Sequence, residues 1–94
     1  MVVNPYKDYG RESSNTFTRI FKEHTSESEL VWHRDRKDRT VKVIEGTGWK
    51  FQDDNKLPQV MCSGDIIKIQ ANCYHRIIKG TGDLVLEITE HDNK

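Results

Sequence analysis

The chain has 94 residues, and its 15 basic and 15 acidic side chains cancel to a formal charge of zero at neutral pH. That length supports one domain with a modest core, and the charge balance supplies no net field for nucleic acid or an anionic membrane. No apolar run approaches the roughly 18 residues of a membrane helix, and the opening MVVNPYKDYG lacks a basic region followed by a hydrophobic stretch. A soluble, cytoplasmic protein with no nucleic-acid or membrane partner is the expectation.

Residues 1–14 read as a polar lead-in, with a barrel over about 15–90. A first strand is expected through Thr16–Phe21, in NTFTRIFK, then a short helical turn around Ser26–Glu29. Period-two alternation follows in Leu30 and Trp32 against Val31 and His33, Val41 and Val43 around Lys42, and Trp49 and Phe51 around Lys50. It continues in Ile67 and Ile69 around Lys68, and in Leu84, Leu86 and Ile88 interleaved with Val85, Glu87 and Thr89. Such alternation buries one sheet face and wets the other. Turn signals separate the segments at Arg36–Asp38, Gly46–Gly48, Asp53–Asn55, Ser63–Asp65, near Asn72 and at Gly80–Asp83. They recur every ~8 to 10 residues, the rhythm of an all-β sandwich or barrel.

Asp53, Asp54 and Asp65 fall at turns and read as turn chemistry. Cys62 and Cys73 are too few for a disulfide framework and lack zinc or redox spacing, so small, partly buried thiols are expected. His24 and His91 lie in polar segments and read as solvated. A chain this short buries only about 60–65% of its unfolded surface. A homodimer is therefore expected, built on the first strand and on the outward apolar residues Ile44, Ile66 and Ile78.

Two blocks carry a family resemblance: WHRDRKDRTVKVIEG from Trp32 and GDIIKIQANCYHRI from Gly64. They resemble the two motifs of the cupins, H-x-H-x(3,4)-E-x(6)-G and G-x(5)-P-x-G-x(2)-H-x(3)-N. His33, Gly46, Gly64 and His75 match at the family's spacing. Asp35 stands for the second His, Arg39 for the Glu, Gln70 for the Pro, Asn72 for the turn Gly and Lys79 for the final Asn. The resemblance covers residues 33–79 and implies a small, single-domain, RmlC-like cupin: an all-β, double-stranded β-helix or jelly-roll-like barrel. Asn72 is compatible with that fold, because asparagine enters the left-handed region readily.

The site is where this sequence departs from the family. His33 and Asp35, two residues apart, share one face of an extended chain. The resemblance makes that face the barrel interior, where His75 should join them. Two imidazoles and a carboxylate form the facial ligand set of non-haem iron sites, and iron, manganese, nickel and zinc are all candidates. Against a metal stands Arg39: at an effective dielectric of 20 and 4 Å a guanidinium opposes a charge by ~4 kcal/mol per unit, and it should prefer Asp35 as a bidentate partner.

Three readings remain open: a metal site of His33, Asp35 and His75, a metal-free polar pocket, and a structural ion pair. Function divides accordingly. One reading is a binding module holding a small polar or anionic ligand through Arg39 and His75, with Trp49 and Phe51, otherwise plain core, and Tyr74 lining the cavity. The other is an enzyme, either a metal-dependent dioxygenase or isomerase or a metal-free proton-transfer catalyst, with His33, Asp35 and His75 as catalytic candidates.

Overall fold

The computed structural model describes residues 5–11 and 15–92. Within them run strands β1 (Lys7–Tyr9), β2 (Thr16–Phe21), β3 (Asp38–Thr47), β4 (Lys50–Asp53), β5 (Gln59–Val60), β6 (Ile66–Ile69), β7 (His75–Ile78) and β8 (Thr81–His91). They form two antiparallel sheets, ordered β1-β2-β8-β3-β6 and β5-β4-β7, in an all-β, jelly-roll-like fold. The alternating residues supply the core: Phe17 and Phe21 from β2, Val41 and Val43 from β3, Phe51, Ile69, and Leu84, Leu86 and Ile88 from β8. Full burial of each such side chain contributes about 1.5–3 kcal/mol.

A 3-10 turn, Glu27–Glu29, falls where the sequence places it, with Ser26 as its N-cap accepting from the Ser28 N–H. Asn72 takes the expected left-handed conformation, φ 66. That turn also fastens the site. The Asn72 N–H donates to the Asp35 carbonyl at 2.7 Å, and the Ala71 N–H donates to Asp38 Oδ1 at 2.7 Å. The β6–β7 connection is thereby bonded to the segment carrying His33 and Asp35.

Several expectations need correction. The polar lead-in contributes a strand, β1, paired with β2 in the register Asp8↔Arg19. Residues 30–33 form no regular strand: only His33 pairs, through reciprocal backbone hydrogen bonds to His75 of 3.0 and 2.9 Å. Cys62 and Cys73 are exposed, because they sit in turns and not on strand faces; the Cys62 N–H donates to Asp65 Oδ2 within its own turn. The apolar residues expected at a dimer interface do not form one patch. Ile44 and Ile66 are exposed on the larger sheet, Ile78 is part-buried on the smaller one, and β2 lies inside its sheet between β1 and β8. No helix among the described residues is long and apolar enough to cross a membrane.

Candidate metal and ligand site

His33 and His75 are brought together by their backbone bridge, and their rings meet edge to face with centroids 4.4 Å apart. His75 is 3% exposed and stacks on Phe51, with centroids at 5.7 Å; His33 is exposed and Asp35 is intermediate. Each imidazole donates from Nδ1 to a backbone carbonyl two residues before it, His33 to Val31 at 2.9 Å and His75 to Cys73 at 3.0 Å. A carbonyl only accepts, so Nδ1 carries the hydrogen, and in the neutral ring Nε2 presents a lone pair. The potential ligand atoms of His33, Asp35 and His75 all lie within 4.8 Å of one another. These three residues can hold a metal ion.

The third ligand atom supports the fit independently. Asp35 Oδ2 is buried without a hydrogen bond among the described residues, although His75 Nε2 and the Arg39 guanidinium each approach to 3.3 Å. A buried carboxylate oxygen left unbonded costs about 1–3 kcal/mol or more. A cation between the imidazoles would satisfy it. Burial alone would raise the Asp35 pKa, yet the contact with His75 and the charge of Arg39 outweigh it and hold the carboxyl below its ordinary value of 3.8. Asp35 is therefore an ionised carboxylate at neutral pH.

Arg39 points inward, as the β3 alternation requires, but its principal partner is not Asp35. Its Nε and NH2 both bond Glu90 Oε2, at 3.1 and 2.6 Å, across the strand pair where Arg39 stands opposite Glu90. The charges continue as a chain. Glu90 also meets Arg11, Arg11 meets Asp8, and Asp8 takes Arg19 in a bidentate pair of 2.8 and 3.0 Å. The expected repulsion between Arg39 and a metal is thus largely offset by Glu90, which takes Nε and NH2 and leaves only NH1 toward Asp35. Burial tends to raise the Glu90 pKa, and the Arg39 guanidinium overrides it, lowering the pKa from 4.5. The stability contributed by Glu90 is then present above pH 4.5 and is lost as pH falls through its lower folded value. Glu90→Gln is expected to lower Tm at pH 7, with the gap to wild type closing toward pH 3, as measured by thermal denaturation.

The site opens into a pocket of about 210 Å³, walled by Tyr6, Phe21, Leu30, Val31 and Ile77 and carrying His33, Asp35, Arg39, Arg19 and Glu29 as its polar groups. Beneath it, a 40 Å³ cavity reaches His75, Phe51 and Met61. Trp49 lies elsewhere: it is fully buried, bonds the carbonyls of Thr81 and Gly82 through Nε1, and packs at 6.0 Å from Phe21. It serves the core. Tyr74 points outward, with the Arg34 guanidinium over its ring. His24 and His91 are exposed, His91 bonding Thr40 through Nε2.

Arg19 and Glu90 were not singled out from the sequence, yet the signal for both is there. Arg19 stands between Phe17 and Phe21 on the inward face of β2, and the inward series Leu84, Leu86, Ile88 extends to Glu90.

No protein-family model and no curated protein sequence matches the chain. Solved structures do match its fold. A Ralstonia eutropha JMP134 protein, provisionally assigned as a mannose-6-phosphate isomerase, superposes with TM-score 0.72 at 21% identity over 94% of this chain and 83% of its own. A cupin domain from Bordetella pertussis Tohama I gives 0.64 at 12% identity over 98% and 99%. The iron(II) form of HppE in complex with substrate gives 0.66 at 13% identity, over 97% of this chain and 55% of the enzyme. The fold is that of the cupins. It is the fold that the two sequence blocks imply.

Proposed function

We propose that this protein binds one divalent transition metal through His33 Nε2, Asp35 and His75 Nε2, and presents it to a small organic ligand in the adjoining pocket. The observation that carries this reading is the convergence of two imidazoles, each held through Nδ1 on a backbone carbonyl, on a buried carboxylate oxygen that lacks a hydrogen bond among the described residues. Two imidazoles and a carboxylate within ligating distance of one another form a donor set that suits a divalent transition metal. Backbone carbonyls behind both rings fix their orientation, the support that ligating histidines ordinarily have. A metal held there supplies Lewis acidity and open coordination positions.

The pocket favours an anionic ligand once the metal is in place, because a divalent cation adds two positive charges beside Arg19 and Arg39. The apolar wall of Tyr6, Phe21, Leu30 and Ile77 covers the organic part of the ligand and excludes water from it. A metal-free module that grips an anion through Arg39 is the weaker alternative, because the Arg39 nitrogens are already directed at Glu90 and Asp35.

Calorimetric titration of chelator-stripped protein with Ni²⁺, Co²⁺, Mn²⁺, Fe²⁺ and Zn²⁺ tests the proposal. Binding near one equivalent is expected for at least one ion, weakening in acid as protons compete for the ligands; no uptake of any ion overturns it. Glu90→Gln should weaken that binding about tenfold, a 1.4 kcal/mol effect, because Arg39 is released to close on Asp35. A homodimer is also proposed, now on the larger sheet through Ile44 and Ile66, and light scattering showing a monomer at working concentration would overturn it.

A further inference from the structure

The pocket holds two arginines, and in one of them every nitrogen faces a carboxylate. Arg39 directs Nε and NH2 at Glu90 and NH1 at Asp35. Arg19 uses Nε and NH2 for the two oxygens of Asp8, while its NH1 has no hydrogen-bond partner among the described residues. The residue as a whole is 7% exposed. Arg19 also lines the pocket. Its orientation is fixed twice over: by the bidentate pair with Asp8, and by Tyr6, whose ring centre lies 3.6 Å from the guanidinium carbon.

Rigid placement matters, because a free arginine would lose side-chain freedom on binding. Asp8 occupies the Nε–NH2 edge and leaves the NH1–NH2 edge, whose two parallel N–H groups match a carboxylate. A doubly charged phosphate fits less well: Arg19 offers it one guanidinium edge, and Asp35 and Glu29 line the same pocket. The remaining wall is hydrocarbon, and 210 Å³ holds about seven waters' volume, the bulk of a short aliphatic or aromatic acid.

We infer that the pocket recognises a small apolar monocarboxylate, with Arg19 NH1 and NH2 receiving its carboxylate and Tyr6, Phe21, Leu30 and Ile77 covering its hydrocarbon part. The inference deepens the proposed function by naming the ligand class of the same site. It makes Arg19 a binding residue that does not depend on a metal.

Benzoate and isovalerate, titrated calorimetrically in buffer with chelator, are the probes; benzamide, isovaleramide and inorganic phosphate are the controls. At least one of the two acids should bind, at least tenfold tighter than its amide and than phosphate. Arg19→Gln should lose that preference. Because this variant also gives up the Asp8 pair and can fail to fold, NMR of the wild type provides a second reading. The Arg19 side-chain N–H resonances should move with the acid and not with the amide. No binding of either acid, equal binding of acid and amide, tighter binding of phosphate, undiminished acid binding by folded Arg19→Gln, or an unmoved Arg19 signal each overturns the inference. Working in chelator keeps the outcomes separate: acid binding without metal uptake sinks only the metal proposal, and metal uptake without acid binding sinks only this one.

Discussion

His33→Ala is expected to lose metal binding by more than 100-fold while leaving Tm within a few degrees of wild type; His75→Ala should lose binding to the same extent and unfold much more readily. The difference follows from placement. His33 is exposed, so its removal deletes a ligand and little packing. His75 is 3% exposed and stacked on Phe51, so its removal opens a cavity, which for a large buried side chain costs about 2–5 kcal/mol. In a domain of this size that is a fall in Tm of roughly 4–8 °C per kcal/mol. Losing the hydrogen-bond partner behind a ligating histidine already costs about 10–100-fold in metal affinity, and losing the ligand itself costs more. Calorimetry with Ni²⁺ reads the first effect and thermal denaturation the second. His24→Ala is the control, since His24 is exposed and outside the cluster. A folded His33→Ala protein with wild-type affinity would remove the proposed ligand set.

Gly80→Ala should be the most damaging of the small substitutions. A Cβ at Gly80 would run into the Thr47 carbonyl oxygen and the Trp49 backbone nitrogen, closer than any real contact. Both are backbone atoms with no rotamer to escape by. They also belong to the β3–β4 connection, where Trp49 is fully buried and bonded to the carbonyls of Thr81 and Gly82 just beyond Gly80. Relief of the clash must therefore separate two connections that the core holds together. A loss of about 3 kcal/mol or more is expected, seen as a fall in Tm above roughly 10 °C. Gly10→Ala is the comparison: φ there is +78 but nothing lies within 4 Å, so only the left-handed strain of about 1–2 kcal/mol applies. Equal Tm values for the two variants would show that the close approach at Gly80 is not a constraint.

The strands of the core were legible because alternation of period two needs no knowledge of partners: Phe17 to Phe21, Val41 to Val43 and Leu84 to Ile88 each show their buried face in isolation. The left-handed turn at Asn72 was legible for the same local reason. Pairing between distant segments was not. That Arg39 spends its charge on Glu90 depends on β3 and β8 lying side by side in a particular register, and nothing within either segment states the register. Arg19 is the same lesson in reverse. Its place between two inward phenylalanines was visible, but that its Nε and NH2 would be occupied by Asp8 followed only from a strand in the lead-in. Trp49 and Tyr74 are inseparable from pocket residues as letters, and only the folded chain sends one into the core and the other to solvent. Sequence alone therefore determined the all-β scaffold and the residues able to ligate. Tertiary structure decided which charges are neutralised and which remain open to a ligand, because electrostatic partnership falls off over a few ångströms and chain order does not record distance across a sheet.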